Sequence, residues 1–255
     1  MRPRHRLVWK RLIVLALLTL LFLTMVGCDG ELFSDDFESY PLGSVPSLPW
    51  QKTGDGTATV DSSRSISGRQ SVHFRSGEGY KNRSLLIFSS PDVFPLKKNR
   101  YFGRMSMYVE SASPDGVHWT MLESSGKVPG KAVTAEVRYG GQHRKQLMAN
   151  YETTGAKTDC WQHSTVKIPE QRWFTVQWMF DGRRNEMKIW IDNQLISEIA
   201  VKARGGGCLG NDLNGDWIFP VFENVQVGWV DYQLNGGERS IWIDDFVLSS
   251  RPIKK

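Results

Sequence analysis

Beyond residue 28, apolar residues recur at every second position in short runs, and no stretch of ten residues holds helical spacing. Side chains of a strand alternate between two faces, so period two predicts strands with one apolar face to bury. The runs span 57–61, 71–75, 84–89, 100–110, 117–124, 132–139, 145–152, 172–180, 186–192, 194–201, 225–232 and 240–248. Gly, Asp, Asn and Pro separate them. About a dozen short strands in one domain predict an all-β fold, an antiparallel sandwich of two packed sheets. Phe180-Asp181-Gly182 and Asp192-Asn193 read as hairpin turns, because Asp and Asn tolerate positive φ. Along 173–180, Phe174, Val176, Trp178 and Phe180 share the expected core face, and Trp173, Thr175, Gln177 and Met179 share the other.

The first eleven residues carry Arg2, Arg4, Arg6, Lys10 and Arg11 and no acid, and Leu12–Val26 is an unbroken run of apolar residues and threonines. Its 15 residues fall short of the ~20 that a spanning helix needs. A basic start, a short apolar run and a small residue at its end make a secretory signal. Leu23-Thr24-Met25-Val26-Gly27-Cys28 resembles the lipobox of bacterial lipoproteins, with Met25 where leucine is usual. The resemblance implies cleavage before Cys28 and acylation of its thiol. The expected organisation is a signal over 1–27, a lipid-anchored tether over 28–32, a sandwich domain over 33–250 and a short basic tail over 251–255. The expected location is the bacterial cell envelope.

All five formal charges belong to that leader. The 27 Lys and Arg that remain balance the 27 Asp and Glu, so the exported part is neutral overall. A nucleic-acid partner requires a basic footprint, and the global charge gives none. A monomer is expected. Nine tryptophans remain after Trp9, and such rings fill cores and also stack on sugar faces. Cys160 and Cys208 are the only cysteines besides Cys28. In an oxidising compartment the pair is expected to be bridged. Two buried free thiols are the alternative, and a reactive thiol lacks an evident base.

Alternation also sorts the central strands. Within 117–123, Trp119 and Met121 fit the core, which sends His118, Thr120 and Leu122 outward. Within 133–139, Val133, Ala135, Val137 and Tyr139 fit the core, which sends Thr134, Glu136 and Arg138 outward. If these strands pair, His118, Glu136 and Arg138 gather on one surface. An ordinary solvated face with a structural Glu–Arg pair is the plainer reading.

Ser34-Asp35-Asp36-Phe37-Glu38-Ser39, Ser67-Gly68-Arg69-Gln70-Ser71-Val72, Val117-His118-Trp119-Thr120, Val137-Arg138-Tyr139-Gly140-Gly141-Gln142, Val227-Gly228-Trp229 and Ile241-Trp242-Ile243-Asp244-Asp245-Phe246 occur in that order. In this order they resemble the fungal cellulose-induced protein family over roughly 34–249. That family is similar to glucuronan and alginate lyases and implies a concanavalin A-like jelly roll. The resemblance implies a structural calcium ion at Glu38, Ser67, Gln70 and Asp245, with Gln70 where the family more often has asparagine. It also implies a cleft holding Arg138 and Gln142, with His118 beside them. A further cleft histidine of the family falls on Glu136, and Asn150 and Glu152 lie near a family "NxE" stretch. A polyuronate lyase must neutralise a carboxylate, remove the adjacent proton and protonate the leaving oxygen. Arg138, Gln142 and Asn150 suit the first task, His118 the second, and Tyr232 or Tyr151 the third. Glu136 and Tyr151 are further candidates for sugar contact. The expected activity is β-elimination on an acidic polysaccharide. The rival expectation is a carbohydrate-binding lipoprotein without catalysis.

Overall fold

The computed structural model describes residues 30–254 except 156, 211 and 212; the leader and Cys28 lie outside the described residues. In chain order the strands are β1 (Glu31–Asp35), β2 (Trp50–Thr53), β3 (Thr57–Asp61), β4 (Ser71–Ser76), β5 (Ser84–Phe88), β6 (Arg100–Val109), β7 (Trp119–Lys127), β8 (Thr134–Gly141) and β9 (Gln146–Thr153). There follow β10 (Asp159–Lys167), β11 (Trp173–Asp181), β12 (Glu186–Ile191), β13 (Gln194–Leu195), β14 (Val201–Lys202), β15 (Gly207–Leu209), β16 (Val221–Phe222), β17 (Val225–Asp231) and β18 (Arg239–Ser249). All their pairings are antiparallel. One sheet runs β13-β12-β11-β6-β18-β4-β3, with β1 on β18 and β14 on β12. The other runs β15-β10-β9-β8-β7-β17-β5-β2, with β16 on β7. The described chain is therefore the expected all-β antiparallel sandwich.

The inner faces carry the residues that alternation assigns to them. Phe174, Val176, Trp178 and Phe180 of β11 are buried, as are Ala135, Val137 and Tyr139 of β8. Burying each large apolar side chain contributes about 1.5–3 kcal/mol. Trp119 of β7 stacks on Trp229 of β17 with centroids 4.5 Å apart. Gly103 of β6 faces Trp178 so closely that a Cβ would lie 2.0 Å from the indole, so this crossing requires glycine. Asp192 and Asn193 adopt φ of 48° and 65°, and Ile191 pairs with Gln194, which completes the two-residue hairpin. Cys160 and Cys208 are register partners on β10 and β15 and form a disulfide.

Several local assignments change. Residues 194–201 are not one strand. Buried Ile196, Ile199 and Val201 are spaced to suit a turn, and a 3-10 segment, Ser197–Ile199, tucks Ile199 under Tyr139. β10 lacks a clean alternation in sequence, because its outer face is polar and its register shifts between His163 and Lys167. β1 begins at Glu31, inside the segment read as a tether.

The largest correction lies in β7. Its register against β8 shifts between Thr120 and Leu122, and against β17 between Val227 and Val230. One extra residue in a strand reverses every side chain after it. Thr120 points outward as expected, but Leu122 joins the core and Glu123 faces Arg138 instead.

Candidate functional site

The outer face of the second sheet carries the titratable cluster. Arg138 of β8 is in register with Glu123 of β7 and Asn150 of β9, and Asn150 is in register with Trp161 of β10. Alternate positions along these strands share that face, which adds Glu136, Glu152, Asp159 and His163. Every arm of the Arg138 guanidinium is engaged. Nε donates to Glu123 Oε2 at 2.9 Å. Nη1 donates to Asn150 Oδ1 at 3.0 Å and to Glu152 Oε2 at 2.6 Å. Nη2 donates to Glu136. Gln226 of β17 holds the other Glu123 oxygen at 2.7 Å, and Asn150 Nδ2 donates to Asp159 Oδ1 at 2.9 Å.

Arg138 is 5% exposed, yet it is no core residue, because its partners are charged and its neighbour is an open pocket. The pocket, of about 350 Å³, is lined by Arg138, Glu136, Glu152, Tyr80, Tyr232 and Thr153–Gly155. Burial opposes the arginine's charge. Tyr232 and the carboxylates of Glu123 and Glu152 outweigh that, so the group is held protonated. Burial pushes the Asp159 carboxyl up, aided by Glu152, while Asn150 opposes the shift.

Tyr232, directly after β17, ties this cluster to His118. The Arg138 guanidinium lies 5.6 Å from the Tyr232 ring centroid, and the His118 ring stacks on Tyr232 at 4.7 Å. Tyr80 stacks on Tyr232 as well, at 5.8 Å. The phenol shares a hydrogen bond with Thr120 Oγ1 at 3.2 Å. Its pKa is pushed up to about 12, chiefly by burial. His118 is lowered to about 3 by burial, by Arg138 and by His163, so its imidazole is neutral at ordinary pH. Its Nε2 is buried with no hydrogen-bond partner. Gln142 continues β8 one position past the Gly141–Trp119 pair, which sets it level with His118. Its amide donates to Gly116 O at 3.4 Å. His163 approaches His143 at 6.1 Å, and burial lowers its pKa.

The structure thus brings together His118, Glu136, Arg138, Asn150 and Tyr232, while Gln142 lies just past the end of β8 with its amide on Gly116 O. It removes Tyr151. That residue is in register with Val137, stacks on Trp217 and Phe219, and donates its hydroxyl to Ile218 O at 2.8 Å inside the core. Tyr151 follows Asn150 directly, so alternation alone opposes their sharing a face. The sequence reading missed Glu123, Asp159 and His163. The first is displaced by the β7 bulge, and the other two sit on the strand that alternation did not reveal.

A second group of sequence candidates meets at the other sheet. The turn Ser67–Gln70 touches both chain ends of the sandwich. Glu38 Oε1 accepts the amides of Arg69 at 2.7 Å and Gln70 at 2.6 Å, and Ser67 Oγ donates to Asp245 Oδ1 at 2.7 Å. Gly68 holds φ 54°, and a Cβ there would meet Glu38 Oε1 at 2.4 Å. The carbonyls of Phe37, Glu38 and Tyr40 converge on Gln70 Nε2 at 3.2–3.3 Å. The donors are hard oxygens, mixing carboxylate, carbonyl and hydroxyl, which is the chemistry calcium accepts. Among the described residues no three His, Cys, Asp or Glu side chains converge as a metal site, so carbonyls carry much of this set.

Solved structures share this architecture. Cellulose induced protein Cip1 superposes with a TM-score of 0.64 at 19% identity, over 88% of this chain and 99% of that one. An endo-β-1,4-glucuronan lyase from the fungus Trichoderma reesei gives 0.53 at 13% identity, over 87% and 96%. The binding domain of botulinum neurotoxin serotype C1 gives 0.52 at 14% identity, over 89% of this chain and 50% of that one. At such identities the likeness establishes the fold. No curated protein sequence matches the chain. The profile of the Cip1-like core domain, classed as polysaccharide-lyase-like, matches residues 45–251. The chain therefore belongs to the Cip1-like core-domain family of polysaccharide-lyase-like proteins.

Proposed function

We propose that this protein acts on a polysaccharide at the His118–Tyr232–Arg138 face, as a lyase that cleaves a uronic-acid glycan by β-elimination. One observation carries the reading: a neutral imidazole with an unpaired Nε2 lies against a protonated phenol beside a buried guanidinium. A general base must be unprotonated at working pH, and burial keeps His118 so. His118 Nε2, once reached by the substrate, takes the proton beside the sugar carboxylate. Tyr232, whose hydroxyl holds its proton up to about pH 12, delivers a proton to the leaving oxygen. Gln142 stabilises the charge that develops on the carboxylate, joined by Arg138 where the substrate displaces one of its acidic partners. The likeness to a glucuronan lyase and the family membership support this reading.

A second reading rests on a specific feature. Arg138 already serves Glu123, Glu136, Glu152 and Asn150, which leaves little capacity for a substrate carboxylate. That favours a glycan-binding protein without turnover. The deciding experiment incubates the protein with a panel of polyuronates and follows the ultraviolet absorbance of the new carbon–carbon double bond. The lyase reading expects a signal that His118→Ala abolishes while binding persists. No signal with any polyuronate, with binding intact in both proteins, overturns catalysis.

The lipobox-like segment supports export and acylation at Cys28, hence a lipid-anchored location at the bacterial cell envelope. The turn at Ser67–Gln70 supports a structural calcium ion held by Glu38, Asp245, Ser67 and, through its amide oxygen, Gln70. Such an ion would bind the first strand region to the last.

A further inference from the structure

We propose that the end of the sandwich next to Gly30 is a docking surface for the headgroups of anionic phospholipids, which turns the His118 end away from the membrane. The proposal rests on the reading of Cys28 as the lipid anchor.

The topology gathers unpaired bases at this end. Gly182 N donates to Asn99 O at 2.8 Å, which joins the β11–β12 hairpin to the loop before β6. Lys98, Arg183 and Arg184 then line one shallow pocket. Asn99 Nδ2 donates to Pro220 O at 2.8 Å, and the next residue, Val221, pairs with Lys127. Lys127 and Lys131 line a neighbouring pocket. Lys97, Lys98, Lys127, Lys131, Arg183 and Arg184 are all exposed, and none of the six forms an ion pair among the described residues. The exposed acids here are Glu31, Asp92 and Glu223, while Asp181 is buried and caps the hairpin amides of Arg183 and Arg184. The opposite end mixes both signs: the pairs Lys81–Asp55, Lys145–Glu170 and Arg172–Asp192 stand beside the exposed bases Arg75, Arg144 and Lys167 and the exposed acids Glu78, Asp115 and Glu238. A chain that is neutral overall beyond its leader thus gathers six exposed bases without ion pairs against three exposed acids at this end.

The same end holds the start of the fold. Gly30 O accepts Ser250 N at 2.7 Å, and β18 ends beside the start of β6, with Ser249 opposite Phe102. Cys28 lies two residues before Gly30, a reach of at most about 7 Å. An acylated Cys28 therefore presses this end, and no other, against the bilayer. A basic patch beside an acyl anchor supplies the second signal that stable membrane attachment uses. β7 starts near His118 and ends at Lys127, so His118 lies about 26 Å from the docked end, while Arg138, in register with Glu123, lies about half as far.

The test uses the full-length protein, purified in detergent and reconstituted into vesicles of phosphatidylcholine alone or mixed with phosphatidylglycerol. Lys98→Cys offers a single reactive thiol, since Cys160 and Cys208 are bridged and Cys28 is acylated. A dye there should be quenched by acrylamide about twofold less on the anionic vesicles, with the difference lost in high salt. Arg183→Gln with Arg184→Gln should reduce the difference, and a dye at Glu78→Cys, at the opposite end, should show none. Protein that floats with both vesicles but is quenched equally at position 98 overturns the docking surface and leaves the anchor standing. Protein that floats with neither overturns the anchor and the docking with it.

Discussion

Arg138 is a single cation among three carboxylates, and that arrangement governs how its removal must register. Glu123 is 7% exposed in the intact fold, and without the guanidinium it would be held only by Gln226 while facing Glu136 and Glu152. Breaking such a buried pair from one side costs about 3–5 kcal/mol. Arg138→Ala should lower stability by that amount in urea, and adding Glu123→Gln should restore part of it. A loss below about 1 kcal/mol, the range of a surface pair, would contradict the buried network. His118 carries a second signature. Its pKa is about 3 in the fold, against about 6.5 in the unfolded chain. Between those values the unfolded chain binds more protons, so stability is full above pH 6.5 and falls as pH drops toward 3. The slope is at most about 1.4 kcal/mol per pH unit. In melts across this window, His118→Gln should flatten the dependence. Parallel curves for the two proteins would show that the imidazole titrates normally.

Among the elements, β10 gains most from the tertiary structure. It carries Asp159 and His163 to the candidate site and Cys160 to the bridge. The disulfide ties edge strand β15 to it across a sequence separation of 48. In the chain-entropy model such a closure contributes about 4 kcal/mol. Reduction should therefore lower the urea midpoint, and hydrogen exchange should rise first in β15, whose one strand partner among the described residues is β10. An unchanged midpoint after reduction would mean that packing alone holds this edge. The β7 bulge shows the limit of alternation at this scale. Period two places Thr120 correctly, but one inserted residue moves Leu122 inward and Glu123 outward.

For the molecule as a whole, the Ser67–Gln70 turn is where the first and last strand regions meet, so an ion there should act on global stability. Calcium that binds only the folded chain adds about 2.7 kcal/mol at one hundred times its dissociation constant. Chelator should lower Tm, and Asp245→Ala should remove the difference between chelated and calcium-loaded samples. Identical melting with and without chelator, together with no metal in elemental analysis, would refute the ion. The charge distribution belongs to this scale as well. The count of Lys and Arg against Asp and Glu reveals only neutrality, and the fold converts it into one basic end and one end of mixed sign.

Much was legible in the residues alone. Alternation in β6, β8, β11 and β18 dictated strands, because a half-buried strand must place its apolar side chains two apart. It also placed Glu136 and Arg138 outward, since Val137 and Tyr139 between and beyond them need the core. The ordered motifs from Ser34 to Phe246 carried the family, and the isolated cysteines carried the bridge. Other features depend on contacts between residues distant in sequence. Glu123 reaches Arg138 only through a register shift that needs two neighbouring strands to define it. Tyr151 is a core residue because Trp217 and Phe219, over sixty residues away, stack against it. Local spacing determines which way a side chain points along an unbroken strand. Only the tertiary structure decides where that strand is broken and what stands opposite.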